Sequence, residues 1–127
     1  MHTLGLELLL DLYDCTSDAL GDVDALERVL CEAIQPAGFE VVDRIAHQFA
    51  SEGVTLVLIL AQSHATLHTW PEARFVTADV YACGASQDIS PALETVRQRL
   101  VQLFCPRRHT FRLIERGLDT DAQSVVR

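Results

Sequence analysis

Residues 63–72 follow an apolar segment and contain a serine hydroxyl, two imidazoles, an indole and a carboxylate. These groups belong to Ser63, His64, His68, Trp70 and Glu72. In an extended chain, side chains alternate between the two faces, so His68 and Trp70 share one face while Leu67 faces a core. A serine hydroxyl reacts when a neighbouring base activates it, and His64 and His68 are both near in sequence. The segment therefore predicts reactive groups along one face of a strand.

The composition narrows the possible chemistry. A chain of 127 residues suits one domain, and its net charge of −8 argues against a nucleic-acid surface. All ten basic residues are arginine. Pyridoxal phosphate, a common electron sink in enzymes, is held on a lysine as a Schiff base, so this chain cannot use it. A carbonyl made from the chain's own serine would need no lysine.

Two further absences give expectations about metals and location. The four cysteines have no CxxC spacing, which predicts free thiols and no metal site. No apolar run approaches the length of a membrane span, and residues 1–15 lack the pattern of a signal peptide. We therefore expect a cytoplasmic protein with no membrane contact.

The hydrophobic pattern predicts an α/β two-layer sandwich, a largely antiparallel sheet with two helices on one face. Asp22 is expected to cap the first helix and Ser90 the second, with Pro91 as its first residue. The first strand is expected to be buried on much of both faces and the third to be central. We expect a single domain over residues 1–116, followed by a polar tail over residues 117–127. The predicted strands are 3–13, 39–49, 54–60, 65–70, 75–83 and 110–114.

The hairpin between the fourth and fifth strands sets a register. If Trp70 lies opposite Phe75, antiparallel pairing brings Gln62 opposite Cys83. The sequence thus predicts a thiol beside the start of the reactive segment.

Three segments together resemble a known family. Ser63-His64, followed by His68-Thr69-Trp70-Pro71-Glu72, is similar to the Glu-Ser-His and His-Thr-Trp-Pro-Glu segments of small prokaryotic S-adenosylmethionine decarboxylases. Residues 79–84 match that family's Asp-Val-x-x-Cys-Gly. The similarity runs from Leu4-Gly5 to the second helix. One departure is Gln62, where the family has glutamate.

The resemblance implies a proenzyme that cuts itself between Gln62 and Ser63. Ser63 would attack the Gln62 carbonyl to give an ester, and a base, for which His68 is the best candidate, would remove the Cα proton. Elimination and hydrolysis would leave a pyruvoyl group at residue 63, which serves as the electron sink. The attacked carbonyl belongs to the backbone, so Gln62 does not forbid the step. Thr55 matches a family serine that assists processing.

The resemblance also implies roles in turnover. Cys83 would return a proton to the substrate carbon, which a thiol can do and a thiolate cannot. Phe49 and Trp70 would stack on adenine, and Glu72 would accept hydrogen bonds from the ribose hydroxyls. S-adenosylmethionine would be the substrate, and its product the aminopropyl donor for spermidine synthesis. The implied assembly is a homodimer whose sites share residues.

Other interpretations remain open at the level of sequence. Relatives with the same pyruvoyl chemistry act on arginine or ornithine. Alternatively, Gln62 could mark an unprocessed homologue that serves as a binding partner. Without the motif, Phe49 and Trp70 would be read as core aromatics and Cys83 as a small buried residue. His64 could be catalytic or a surface histidine.

Overall fold

The computed structural model describes residues 2–84 and 88–119, which form six strands, two α-helices and three short 3-10 helices. All neighbouring strands are antiparallel, in the order β2-β3-β4-β5-β1-β6. This architecture confirms the predicted sandwich. The elements are β1 His2–Tyr13, α1 Val23–Ile34, β2 Val41–Gln48, β3 Val54–Leu60, β4 Ser63–Trp70, β5 Phe75–Cys83, α2 Ser90–Phe104 and β6 Arg108–Asp119.

The core lies between the helices and one face of the sheet. Alternate residues of the strands point into it, as Leu56, Leu67 and Val80 show by being completely buried. They pack against helix residues such as Leu30 and Leu100, which are also completely buried. Removing such apolar surface from water is the main stabilising contribution to a domain of this size.

The two helix starts differ in how well the sequence predicted them. The Asp22 carboxylate accepts a hydrogen bond from the Ala25 N–H at 3.1 Å, which confirms the first cap. The prediction that Ser90 caps the second helix was wrong, because α2 begins at Ser90 itself and Pro91 is its second residue. The Asp88 carboxylate accepts from the Ser90 N–H at 2.9 Å, so an acid two residues earlier ties down this helix start.

Three expectations about the strands need correction. The first strand is buried on one face only, because the helices cover one face and Leu9 on the other is 36% exposed. The strand β3 is second from an edge, while β4 and β5 are central. The strand β6 runs to Asp119, so the predicted polar tail begins inside it. Residues 120–127 of that tail lie outside the described residues. Among the described residues, no helix is long and apolar enough to cross a membrane.

The helices leave one surface of the sheet uncovered, which carries Thr55, His64 and His68, and we call it the open face. Strand alternation places polar and apolar groups side by side there. The open face is formed by Glu7, Leu9 and Asp11 of β1, Asp43, Ile45 and His47 of β2, Thr55, Val57 and Ile59 of β3, His64, Thr66 and His68 of β4, Thr77, Asp79 and Tyr81 of β5, and Thr110, Arg112 and Ile114 of β6.

Candidate active site

The peptide bond between Gln62 and Ser63 lies at the junction of a tight turn and β4. Leu60 pairs with Ser63, so the turn contains only two residues. Gln62 has φ of 61°, a left-handed conformation that favours glycine and costs other residues about 1 kcal/mol or more. Four other non-glycine residues of the described chain have a positive φ. The strain is therefore a property of tight turns and does not by itself mark a site.

Cys83 contacts both sides of this peptide bond. Its thiol donates to the Gln62 carbonyl oxygen at 2.9 Å, and its backbone N–H donates to Ser63 Oγ at 3.4 Å. The pairs Trp70 with Phe75 and His64 with Tyr81 confirm the predicted register. Because that register continues to the turn, it places the thiol beside the carbonyl that Ser63 would attack.

A second group of predicted residues surrounds a pocket of about 300 Å³ at the other end of β4. Phe49 and Trp70 are 48% and 40% exposed, which excludes a core role for either ring in this chain. The Thr55 hydroxyl and His68 Nδ1 are hydrogen-bonded at 3.0 Å across β3 and β4. All five predicted residues of this group line the pocket: Phe49, Thr55, His68, Trp70 and Glu72. A larger cavity, about 390 Å³ beside the start of α1, is lined by none of the predicted site residues.

The structure does not bring the two groups together within one chain. Ser63 and His68 lie five residues apart on the same strand, a separation of about 17 Å at the usual rise per residue. We call Gln62, Ser63 and Cys83 the junction group, and the five residues around the pocket the pocket group. His68 is therefore too far away to act as a base on Ser63 of its own chain.

A third cluster on the open face combines Glu7, His64 and Asp79. Their ligand atoms all lie within 4.8 Å of one another, a spacing that would suit a metal ion. His64 Nε2 lies 3.5 Å from an Asp79 carboxylate oxygen, and Arg116 lies 2.6 Å from Glu7. Burial raises the pKa of Asp79, as does the neighbouring Glu7, while His64 acts in the opposite direction. Sequence reasoning assigned no role to Glu7 or Asp79, although Asp79 begins the Asp-Val-x-x-Cys-Gly segment that matches the family.

Thr69 is a structural residue that sequence reasoning missed. Its hydroxyl is buried, donates to the Leu20 carbonyl at 2.7 Å and accepts from the Val54 N–H at 3.0 Å. These bonds tie β4 to β3 and to the segment before α1. They hold the part of β4 that carries His68 and Trp70. The sequence did offer a signal, because Thr69 places a hydroxyl at a core-facing position between His68 and Trp70.

Comparison with known proteins agrees with the fold and with the family that the sequence resembles. The family model of S-adenosylmethionine decarboxylase matches residues 6–117. An S-adenosylmethionine decarboxylase proenzyme of Caldicellulosiruptor saccharolyticus is 34% identical over 100 residues, which are 79% of this chain and 81% of that protein. A proenzyme of the same name from Pseudomonas aeruginosa is 32% identical over 115 residues, 91% of this chain and 69% of that one.

A solved structure gives the same result at the level of the fold. The crystal structure of the adenosylmethionine decarboxylase from Aquifex aeolicus VF5 superposes with a TM-score of 0.85 and 31% identity. The match covers 95% of this chain and 97% of that one. The two-layer sandwich is thus the fold of a decarboxylase class. The chain belongs to the S-adenosylmethionine decarboxylase family, as the sequence motifs predicted.

Proposed function

We propose that this chain is a pyruvoyl-dependent S-adenosylmethionine decarboxylase that first cuts itself between Gln62 and Ser63. Its product is the aminopropyl donor used in spermidine synthesis. The observation that carries the proposal is the contact of Cys83 with both sides of the Gln62–Ser63 peptide bond. Two relatives named as proenzymes support a processed chain.

The geometry of the junction group suits the cutting reaction. Ser63 Oγ attacks the Gln62 carbonyl carbon, and negative charge develops on the carbonyl oxygen. The Cys83 thiol already donates to that oxygen at 2.9 Å, where a donor stabilises the charge. The C–N bond of the peptide then breaks, its nitrogen takes the proton lost by the hydroxyl, and Gln62 is left as an ester on Ser63 Oγ. Removal of the residue 63 Cα proton eliminates the Gln62 carboxylate and leaves dehydroalanine. Addition of water to the tautomeric imine releases ammonia and leaves a ketone at residue 63.

The surroundings of Ser63 fit a pyruvoyl group. Residue 63 is the first residue of β4 and is partly exposed, so a small-molecule amine can reach it. The pyruvoyl group supplies a carbonyl that takes up the electrons released with carbon dioxide. Cys83 stays beside residue 63 through β5 and can deliver a proton from its thiol to the substrate carbon.

The pocket group has the side chains that S-adenosylmethionine requires. Phe49 and Trp70 present exposed aromatic faces for the purine and the positively charged sulfur. Glu72 lines the same pocket and can accept hydrogen bonds from both ribose hydroxyls. Arginine and ornithine contain neither a purine nor a diol, so these three residues favour the nucleoside.

A homodimer would unite the two groups. In a two-fold dimer, if one surface of a chain contacts a second surface of its partner, the same contact forms in the reverse direction by symmetry. Two chains packed through their open faces could therefore place the junction group of one against the pocket group of the other. The exposed apolar side chains Leu9, Ile45 and Ile59 on the open face support such a contact.

Mass spectrometry of the purified, denatured protein tests the cutting step. We expect fragments 1–62 and 63–127, with a carbonyl reagent labelling only the second. Only full-length protein after long incubation would refute the proposal and favour a binding protein.

Release of labelled carbon dioxide tests the substrate. The cut protein is given carboxyl-labelled S-adenosylmethionine, arginine or ornithine in separate reactions. We expect release from S-adenosylmethionine. Release from arginine or ornithine alone would overturn the substrate while leaving the pyruvoyl chemistry intact.

A further inference from the structure

We propose that His64, held by Asp79, is a positioning residue that keeps residue 63 in place once the chain has been cut. This inference rests on the proposed function, since it concerns the chain end that self-cleavage creates.

Cutting removes two of the restraints on residue 63. The turn that joins β3 to β4 is opened, so the start of β4 becomes a chain end, and chain ends fray unless they are tied down. The Ser63 hydroxyl, which accepts from the Cys83 N–H at 3.4 Å, is lost as the ketone forms. The reactive carbonyl must nevertheless stay close to the Cys83 thiol for each turnover.

His64 is the first residue after the new chain end whose side chain is held by another strand. Its Nε2 lies 3.5 Å from the Asp79 carboxylate of β5. Its ring also stacks on Tyr81, with ring centroids 6.0 Å apart and an angle of 24° between the planes. Both partners lie on β5, the strand that ends with Cys83. These contacts therefore fix the start of β4 relative to the proton donor.

The position of the Tyr81 ring depends on a glycine of the neighbouring strand. A Cβ atom at Gly5 would lie 2.3 Å from the Tyr81 hydroxyl oxygen, so the ring can occupy this place only because Gly5 has no side chain. Arg116 of β6 lies over the same ring at 5.9 Å. Tyr81 is thus placed to support His64.

The charges around Asp79 favour its pairing with His64. Glu7 of β1 lies close to Asp79 and repels it, while Arg116 binds Glu7 at 2.6 Å. Asp79 therefore gains most by pairing with His64. Burial raises the pKa of Asp79, His64 opposes this effect and Glu7 adds to it. The pKa remains raised, so the charge of Asp79 at neutral pH costs folding stability. A residue that is unfavourable for the fold and favourable for orienting a neighbour is typical of functional sites.

The test compares His64→Gln, Asp79→Asn and the double variant with the parent. His109→Gln is the control, because His109 contacts Arg97 at 3.1 Å on the helix side of the edge strand β6. Mass spectrometry first establishes that each protein is cut and carries the carbonyl. The rate constant kcat, KM and the fraction of chains that end in alanine through misplaced protonation are then measured.

We expect both single variants to be cut. Their kcat should be about two- to fivefold lower than that of the parent and their alanine fraction higher, because a partly exposed pair of side chains contributes a modest free energy. KM should change little, because the pocket group is untouched. The double variant should be no worse than His64→Gln alone, since the two residues act through one contact. The control should behave like the parent.

Several results would overturn the inference. Parental kcat and alanine fraction in cut His64→Gln would do so, as would additive losses in the double variant. If either single variant stays uncut, the pair acts in cutting and the inference is wrong. Loss of parental turnover in EDTA that zinc restores would make these residues metal ligands instead. An uncut parent would refute the proposed function itself.

Discussion

Mixing two inactive variants tests whether each active site is shared between chains. Ser63→Ala removes the nucleophile of the junction group, and His68→Ala removes the candidate base of the pocket group. About 17 Å separates these positions in one chain, which exceeds the reach of any side chain. If the site is shared, a dimer of the two variants holds one site with both an intact Ser63 and an intact His68.

The expected magnitude follows from the symmetry of the dimer. Each mixed dimer has one intact site of two, so purified mixed dimers should reach about half of the activity of the parent. Random pairing makes about half of all dimers mixed, so the unfractionated mixture should reach about one quarter. The two chains are co-expressed with different affinity tags, and carbon dioxide release is measured on mixed dimers. Mass spectrometry should find the His68→Ala chain cut and the Ser63→Ala chain whole.

A matched mixture provides the control. Ser63→Ala and Cys83→Ala both alter the junction group, so no mixed dimer of these variants contains an intact site. We expect no recovery of activity from them. Isolated mixed dimers of Ser63→Ala and His68→Ala that remain inactive would refute the shared site, and so would equal recovery in both mixtures.

Four other substitutions give separate predictions. Ser63→Ala alone should abolish cutting, seen by mass, with little change in Tm, because one hydroxyl is lost. Cys83→Ala should be cut more slowly, since the Gln62 carbonyl loses its donor, and should then turn over poorly with an increased alanine fraction. Glu72→Gln should lower kcat/KM for S-adenosylmethionine, because the ribose loses a charged acceptor; the loss should correspond to about 1–3 kcal/mol of transition-state free energy. Kinetics equal to those of the parent would contradict this role. Asp79→Asn should raise Tm at neutral pH, because burial raises the pKa of Asp79 and its charge therefore costs stability. This cost is lost as pH falls and the carboxylate is protonated, so calorimetry should find no difference in Tm at about pH 3.

The sequence by itself determined the features that depend on neighbouring residues. Alternation along β4 assigned His68 to the open face and Leu67 to the core, and Leu67 is completely buried. The short hairpin after Trp70 fixed a register that carried Cys83 to the Gln62 carbonyl. These predictions succeeded because a strand has a period of two and a tight hairpin leaves little freedom in pairing.

Only the tertiary structure decided which surfaces are covered and which groups meet. The residues of β1 do not reveal that both helices lie on one side, leaving Leu9 exposed on the other. Sequence proximity suggested that His68 could serve Ser63, but an extended strand separates residues that are near in sequence. The meeting of Glu7, His64 and Asp79 required three strands to be ordered β4-β5-β1. Strand order depends on long-range pairing, about which local residue patterns carry little information.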